Sequence, residues 1–193
     1  MTKNYSFVVR PPSSVMNHTD HVNLLRPAIA QQGGVWADFG SGSGAFTLAL
    51  RELVGADAEI FSIDQEAGRL REQERAFQRM FPESNVHFRR ADFSREMKLP
   101  PLDGIVMANA LHYFRDKASL LNHARSFLKP RGIFILVEYN VDAGNMWVPH
   151  PLSFETFQKL APRAGFGEPR LLATAPSNFL REFYAAAAWN DQS

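Results

Sequence analysis

Asp38-Phe39-Gly40-Ser41-Gly42-Ser43-Gly44 decides the fold. It follows the apolar run Val35-Trp36-Ala37 and precedes the amphipathic stretch Ala45–Val54, so it reads as a strand, a glycine turn and a helix start. Glycines at alternate positions let backbone come close to a ligand, and the free N–H groups of the following helix face whatever sits there. About 20 residues on, Ile60-Phe61-Ser62-Ile63-Asp64 ends a second apolar run on a carboxylate. In a parallel sheet that carboxylate lies beside the glycine turn and can accept from both hydroxyls of a ribose. The pair predicts a nucleoside-binding site.

Working outward, apolar runs alternate with helix-period stretches, the pattern of an α/β fold with a mainly parallel sheet. Strands are predicted over 35–39, 59–64, 86–90, 104–108 and 132–139, and helices over 43–54, 66–81, 117–128 and 154–164. Phe81-Pro82, Lys129-Pro130-Arg131-Gly132 and Ala164-Gly165-Phe166-Gly167 stop helices where strands must begin. The runs 170–175 and 180–189 are separated only by Pro176-Ser177-Asn178, which suits a hairpin and not a crossover. A seven-stranded sheet with an antiparallel C-terminal strand follows. Residues 13–32 read as one or two helices with Val15, Met16, Val22, Leu24, Leu25 and Ile29 apolar, behind a flexible arm broken at Arg10-Pro11-Pro12.

The 193 residues, 45% of them hydrophobic, are enough for one substantial core and are read as one domain: an arm or helical lid over 1–32 and the core over 33–193. A net charge of +1 makes nucleic acid and anionic lipid unlikely partners. The chain has no cysteine, which removes thiolate nucleophiles, disulfides and cysteine-ligated metal centres. No apolar core of signal-peptide length follows Met1, and no stretch approaches the roughly 18 apolar residues of a membrane span. A soluble cytoplasmic chain is the expectation.

In the order of its motifs the sequence resembles the class I S-adenosylmethionine-dependent methyltransferases, from about Val35 to the C-terminus. The resemblance implies a Rossmann-like three-layer α/β sandwich with strand order 3-2-1-4-5-7-6 and strand 7 antiparallel. It implies S-adenosylmethionine as cofactor, S-adenosylhomocysteine as product and a small-molecule acceptor. The loop carrying Asp38, Gly40, Ser41, Gly42 and Gly44 would lie against the methionine part of the cofactor, with Asp38 holding the loop or the ammonium. Asp64 would bind the ribose and Gln65 would lie next to the adenine. In Ala91-Asp92-Phe93, Asp92 would accept from the adenine amino group and Phe93 would cover its face. The run from Asp103 to Tyr113 looks like the fourth strand and its turn, placing Asn109 and Ala110 at the cofactor and His112 and Tyr113 at the acceptor. Lys129-Pro130-Arg131-Gly132 before Ile133-Phe134-Ile135-Leu136-Val137-Glu138 resembles the turn into strand five.

Other readings stay open at this level. Gly40-x-Gly42-x-x-Ala45 also satisfies the looser dinucleotide fingerprint, which would make the chain a nicotinamide-dependent oxidoreductase; a non-catalytic cofactor-binding module is a third reading. Asp38 argues against a dinucleotide, because a carboxylate there would face a pyrophosphate, whereas beside a sulfonium and an ammonium it is favourable. Asp64 could be a strand-end turn residue, Asp92 a helix cap, and Trp147 in the loop after strand five either acceptor wall or packing. His18, Asp20 and His21 lack a third ligand at a helpful spacing, so no metal is expected; the arm over 5–21 is instead read as a lid over the cofactor. If the acceptor needs a base, His112 is the first candidate, with Tyr113 and Tyr139 behind it.

Overall fold

The inner strands are unbroken apolar runs because helices cover both faces of the sheet, leaving no solvent side to pattern. The computed structural model describes residues 16–177 and 179–191. Its strands are β1 (Val35–Phe39), β2 (Glu59–Asp64), β3 (Asn85–Arg90), β4 (Leu102–Ala108), β5 (Leu128–Tyr139), β6 (Arg170–Pro176) and β7 (Glu182–Trp189), in the order β3-β2-β1-β4-β5-β7-β6. Pairs from β3 through β5 are parallel, and β7 runs antiparallel to both β5 and β6. This is the Rossmann-like order and polarity that the family resemblance implies. Alanine is a poor strand former. The run Ala185–Ala188 is held in β7 because it is laddered on both sides and wholly buried.

The helices are α1 (His18–Leu25), α2 (Ala45–Val54), α3 (Ala67–Met80), α4 (Lys117–Arg125) and α5 (Phe154–Leu160). On one face Phe39, Leu121, Phe134, Phe157 and Tyr184 form a core; on the other, Trp36, Ile60, Val106 and Ile135 pack with α1 and α2 residues such as Leu25 and Leu50. Several element limits differ from the sequence reading. Helix α2 begins at Ala45 rather than at residue 43, because Gly44 is left-handed with φ 90°. Helix α4 ends at Arg125, and Leu128 already pairs with Leu102 in the sheet. Lys129-Pro130-Arg131-Gly132 therefore lies inside β5 as a bulge, with the register resuming at Gly104 opposite Ile133 and Arg131 at φ 62°. Helix α5 closes at Leu160 and hands over to a 3-10 turn at Pro162–Ala164.

Of the expected lid, residues 1–15 lie outside the described part. Helix α1 is core, with Val22, Leu24 and Leu25 buried in the α2 cluster. Asn17 and Asp20 close its first turn as a capping box. His18 bonds Glu52 of α2 at 2.7 Å, and the ring of His21 meets Phe46 edge-on at 4.7 Å. None of the described helices is long and apolar enough to cross a membrane. Because β1, β2, β4 and β5 are parallel, their carboxyl ends share one edge of the sheet, where the glycine turn, Asp64, Asn109 and Tyr139 meet.

Candidate active site

The three glycines of the turn have φ of 77°, 55° and 90°, so all need the left-handed freedom that only glycine has at little cost. Their surroundings differ. A Cβ on Gly40 would lie 2.6 Å from Ala110 and one on Gly44 would lie 2.5 Å from Gln73, whereas Gly42 meets only the end of Arg69, at 3.5 Å. Gly40 and Gly44 are thus kept bare by the protein's own packing, and Gly42 is the one that leaves open space. The turn's N–H groups are also less free than the sequence implies. Gly40 and Ser41 both donate to the Ile63 carbonyl, at 2.9 and 3.1 Å, and Gly42 donates to Asp64 Oδ2 at 2.8 Å. These three donors are spent within the fold.

Asp38 sits behind the turn, 1% exposed, with Thr47 donating to Oδ2 at 2.6 Å. Burial raises its pKa to about 7, against the lowering effect of the Thr47 hydrogen bond and with a further upward push from Asp64. The folded chain therefore holds this proton more tightly than the unfolded chain does. The contribution favours the fold below about pH 4, the unfolded carboxylate value, and drains away as pH rises toward 7. Asp38→Asn keeps an oxygen for Thr47 and abolishes the titration. Its stability relative to wild type is expected to rise between pH 4 and 7 and then level off in urea unfolding. A difference independent of pH would contradict the assignment.

In front of the turn is a cavity of about 320 Å³ lined by Gly40, Asp64, Gln65, Phe93, Asn109, Ala110 and Tyr113, with Glu66, Arg69 and Phe114 completing the wall. Asp64 anchors one side. Its Oδ2 accepts from Gly42 and its Oδ1 from the Glu66 N–H, both at 2.8 Å, so each oxygen keeps a lone pair for a further donor. Phe93 is stacked on Phe39 at 5.6 Å and tilted against Phe114 at 5.4 Å, which fixes its ring as a wall. Asn109, at the end of β4, is held at φ 52° by its N–H bond to the Val137 carbonyl, and its Oδ1 is sealed without a partner. A strained residue with an orphaned acceptor beside a cavity is what a ligand donor would complete.

The remaining expected site residues stand behind or beside this cavity. Ser41 is buried in a polar network under the turn, and Ala91 donates its N–H to the Asp64 carbonyl at 3.1 Å. Asp92 takes the N–H and hydroxyl of Ser94 and the Arg95 guanidinium at 3.1 Å. Its slight burial works the other way, but those donors hold its carboxyl below the usual range. Trp147 is half exposed at the surface and Tyr113 stands 63% exposed on the rim.

His112 is 3% exposed, and its Nδ1 lies 2.8 and 2.9 Å from the two oxygens of Glu138, which is fully buried. Glu138 also accepts from the backbone N–H of His112 at 3.1 Å and of Tyr139 at 3.0 Å. A carboxylate is only an acceptor, so the network assigns the proton to Nδ1 and leaves Nε2 as the basic nitrogen. Nε2 has no hydrogen-bond partner among the described residues and is not one of the sealed unpartnered atoms. The Tyr113 and Tyr139 rings flank the imidazole at 4.3 and 6.2 Å. Lys117 lies near enough to Glu138 and Asp142 to feel both; burial nonetheless lowers its pKa, and its ammonium donates to the Phe114 carbonyl at 2.8 Å. Sequence reading named His112 as a candidate and did not single out Glu138, its partner here.

Comparison with known proteins bears on the family and the fold. A family described as a methyltransferase domain matches residues 31–162, well over half of the chain. An arsenite methyltransferase of Aquipseudomonas alcaligenes is 28% identical over 172 residues, covering 79% of this chain and 49% of its own length, so the chain spans about half of that relative. Among solved structures, the YcgJ protein of Bacillus subtilis is similar with a TM-score of 0.74 at 13% identity, covering 91% of this chain and 100% of that one. A SAM-dependent methyltransferase of Aquifex aeolicus gives a TM-score of 0.62 at 18% identity over 82% of each chain. At such identities the likeness to these structures is one of fold. With the family match and the ordered motifs, it places the chain among the class I S-adenosylmethionine-dependent methyltransferases.

Proposed function

We propose that the chain transfers a methyl group to a small-molecule acceptor that must first lose a proton, with His112 as the base and Glu138 as the residue that positions it. The observation that carries this reading is the buried carboxylate–imidazole pair at the carboxyl edge of the sheet, next to Tyr113 of the cavity wall. The residues present suit the cofactor. Asp64 keeps a lone pair on each oxygen for the ribose hydroxyls, Gly42 leaves room, the orphaned Oδ1 of Asn109 suits an ammonium or amide donor, and Phe93 offers an apolar face. Gln65 and Ala110 line the same wall. Asp38, Ser41, Gly40 and Gly44 shape the turn from behind, and Ala91 and Asp92 shape the adjoining strand end.

When bound, S-adenosylmethionine supplies a sulfonium methyl open to in-line attack. The chain's part is to exclude water, align the reactants and take the proton. Nε2 of His112 accepts it, and Glu138 stabilises the resulting imidazolium, as a paired charge in a dry site should. Alignment of two reactants is worth several kcal/mol, up to about 7–11 in ideal cases. The arsenite activity of the relative is not carried over. Trivalent arsenic is thiophilic, and this chain holds no thiolate to grip it.

Labelled S-adenosylmethionine offered with a panel of acceptors tests the proposal. Transfer is expected to phenols or 1,3-dicarbonyl carbon acids. Transfer confined to acceptors with an available neutral lone pair, such as tertiary amines, would contradict it.

A further inference from the structure

We infer that Gln73 of α3 is a positioning residue for cofactor binding: its side-chain amide clamps the glycine turn in the shape that aims Asp64 at the ligand. This rests on the cofactor reading above. Helix α3 is otherwise a charged surface helix, with Arg71, Glu72, Glu74 and Arg75 around it, yet Gln73 is 0% exposed on the face it shares with Leu70 and Phe77. A buried amide is costly unless all its polar atoms are paired. Here they are. Nε2 donates to the Gly42 carbonyl at 2.6 Å and to Ser41 Oγ at 2.9 Å, and Oε1 accepts from Ser62 Oγ at 2.8 Å.

The two hydroxyls lie 2.8 Å apart, and with Thr47 bonded to Asp38 the following arrangement of protons satisfies the group. Ser62 gives its proton to Gln73 Oε1, so the Ser41–Ser62 contact must use the proton of Ser41, and the amide closes the ring through Ser41 Oγ. Thr47, 3.3 Å from Oε1, spends its own proton on the nearer Asp38. A closed ring of this kind has few alternatives and holds its members rigid.

The consequence reaches the cavity through one residue. Gln73 holds the carbonyl of Gly42, and the N–H of the same Gly42 donates to Asp64 Oδ2. The peptide groups on either side of Gly42 are thereby fixed, and so is the carboxylate that faces the ribose. Gly44 belongs to the same device. A Cβ there would lie 2.5 Å from Gln73 Cγ and 2.8 Å from its Cδ, so the last glycine of the motif is bare to admit the clamp and not the ligand. No hydrocarbon side chain can donate to Gly42 and accept from Ser62 together, and a glutamate keeps only the acceptor.

Calorimetry with S-adenosylhomocysteine on wild type, Gln73→Leu and Gln73→Glu tests this, with circular dichroism to establish folding and hydrogen exchange of the ligand-free 41–44 amides beside it. In a folded variant the expected result is a Kd raised 10- to 100-fold, with faster exchange at the turn. An unchanged Kd in a folded variant overturns the inference, and so does failure of both variants to fold, which would make Gln73 a residue of the fold alone. Absence of binding by the wild type would instead overturn the cofactor reading on which it stands.

Discussion

Glu138→Gln is expected to lower turnover by about 10²- to 10⁴-fold while leaving the Kd for S-adenosylhomocysteine within threefold of wild type. The carboxylate does three things at once: it accepts Nδ1–H of His112 and the N–H groups of His112 and Tyr139. An amide of the same shape has one acceptor oxygen and a donor nitrogen. If the nitrogen faces the imidazole, the ring proton is driven to Nε2 and the base is lost; if the oxygen does, a backbone N–H loses its acceptor, at a cost of about 1–3 kcal/mol. His112→Ala is a less clean test. It would take one donor from the buried Glu138 and leave a cavity, a loss of about 1.5–3 kcal/mol for the hydrogen bond alone that mixes folding with chemistry. Steady-state rates as a function of pH are the measurement. Turnover within a factor of three of wild type, with an unmoved pH profile, would remove the dyad from the mechanism.

Asp64→Ala is expected to weaken S-adenosylhomocysteine binding by about 100-fold or more. Hydrogen bonds to a charged group are worth about 1.5–3 kcal/mol each, and the carboxylate has one free lone pair on each oxygen to offer a ribose. The variant also frees the Gly42 N–H, so Asp64→Asn, which keeps one acceptor, should fall between it and wild type. Titration calorimetry reads both. A Kd for Asp64→Ala within fivefold of wild type would mean that the ribose is held elsewhere.

The fold was legible because its determinants are local. Glycine turns, helix stops and apolar runs fix the element order, and the connection before the last run, too short for a crossover, fixes the antiparallel hairpin. Limits slipped where a strand carries non-strand residues, as at Pro130 and Arg131, which the sheet absorbs as a bulge and sequence reads as a turn. Asp64 and His112 could be named as candidates because Asp64 ends β2 and His112 lies just beyond the end of β4. Glu138 carried the same signal, an acid directly after Ile133-Phe134-Ile135-Leu136-Val137, and was passed over because its partner lies 26 residues away. Gln73 shares the apolar stripe of Leu70 and Phe77, so helical period alone marks it as buried. What it bonds depends on the packing of α3 over β2 and the turn, which no spacing reveals. Asp38 was read as holding either the loop or the cofactor's ammonium; it lies buried behind the turn and takes the Thr47 hydroxyl, a placement that residue type alone does not reveal.

The cavity in front of Gly42 and Asp64 is proposed to hold an adenosyl sulfonium or its thioether. Titration of the folded wild-type chain with S-adenosylhomocysteine and, separately, with NADH tests it most directly. Saturable heat at one site per chain is expected with the first and none with the second; a folded protein giving no heat with S-adenosylhomocysteine, or binding NADH in its place, would contradict the account.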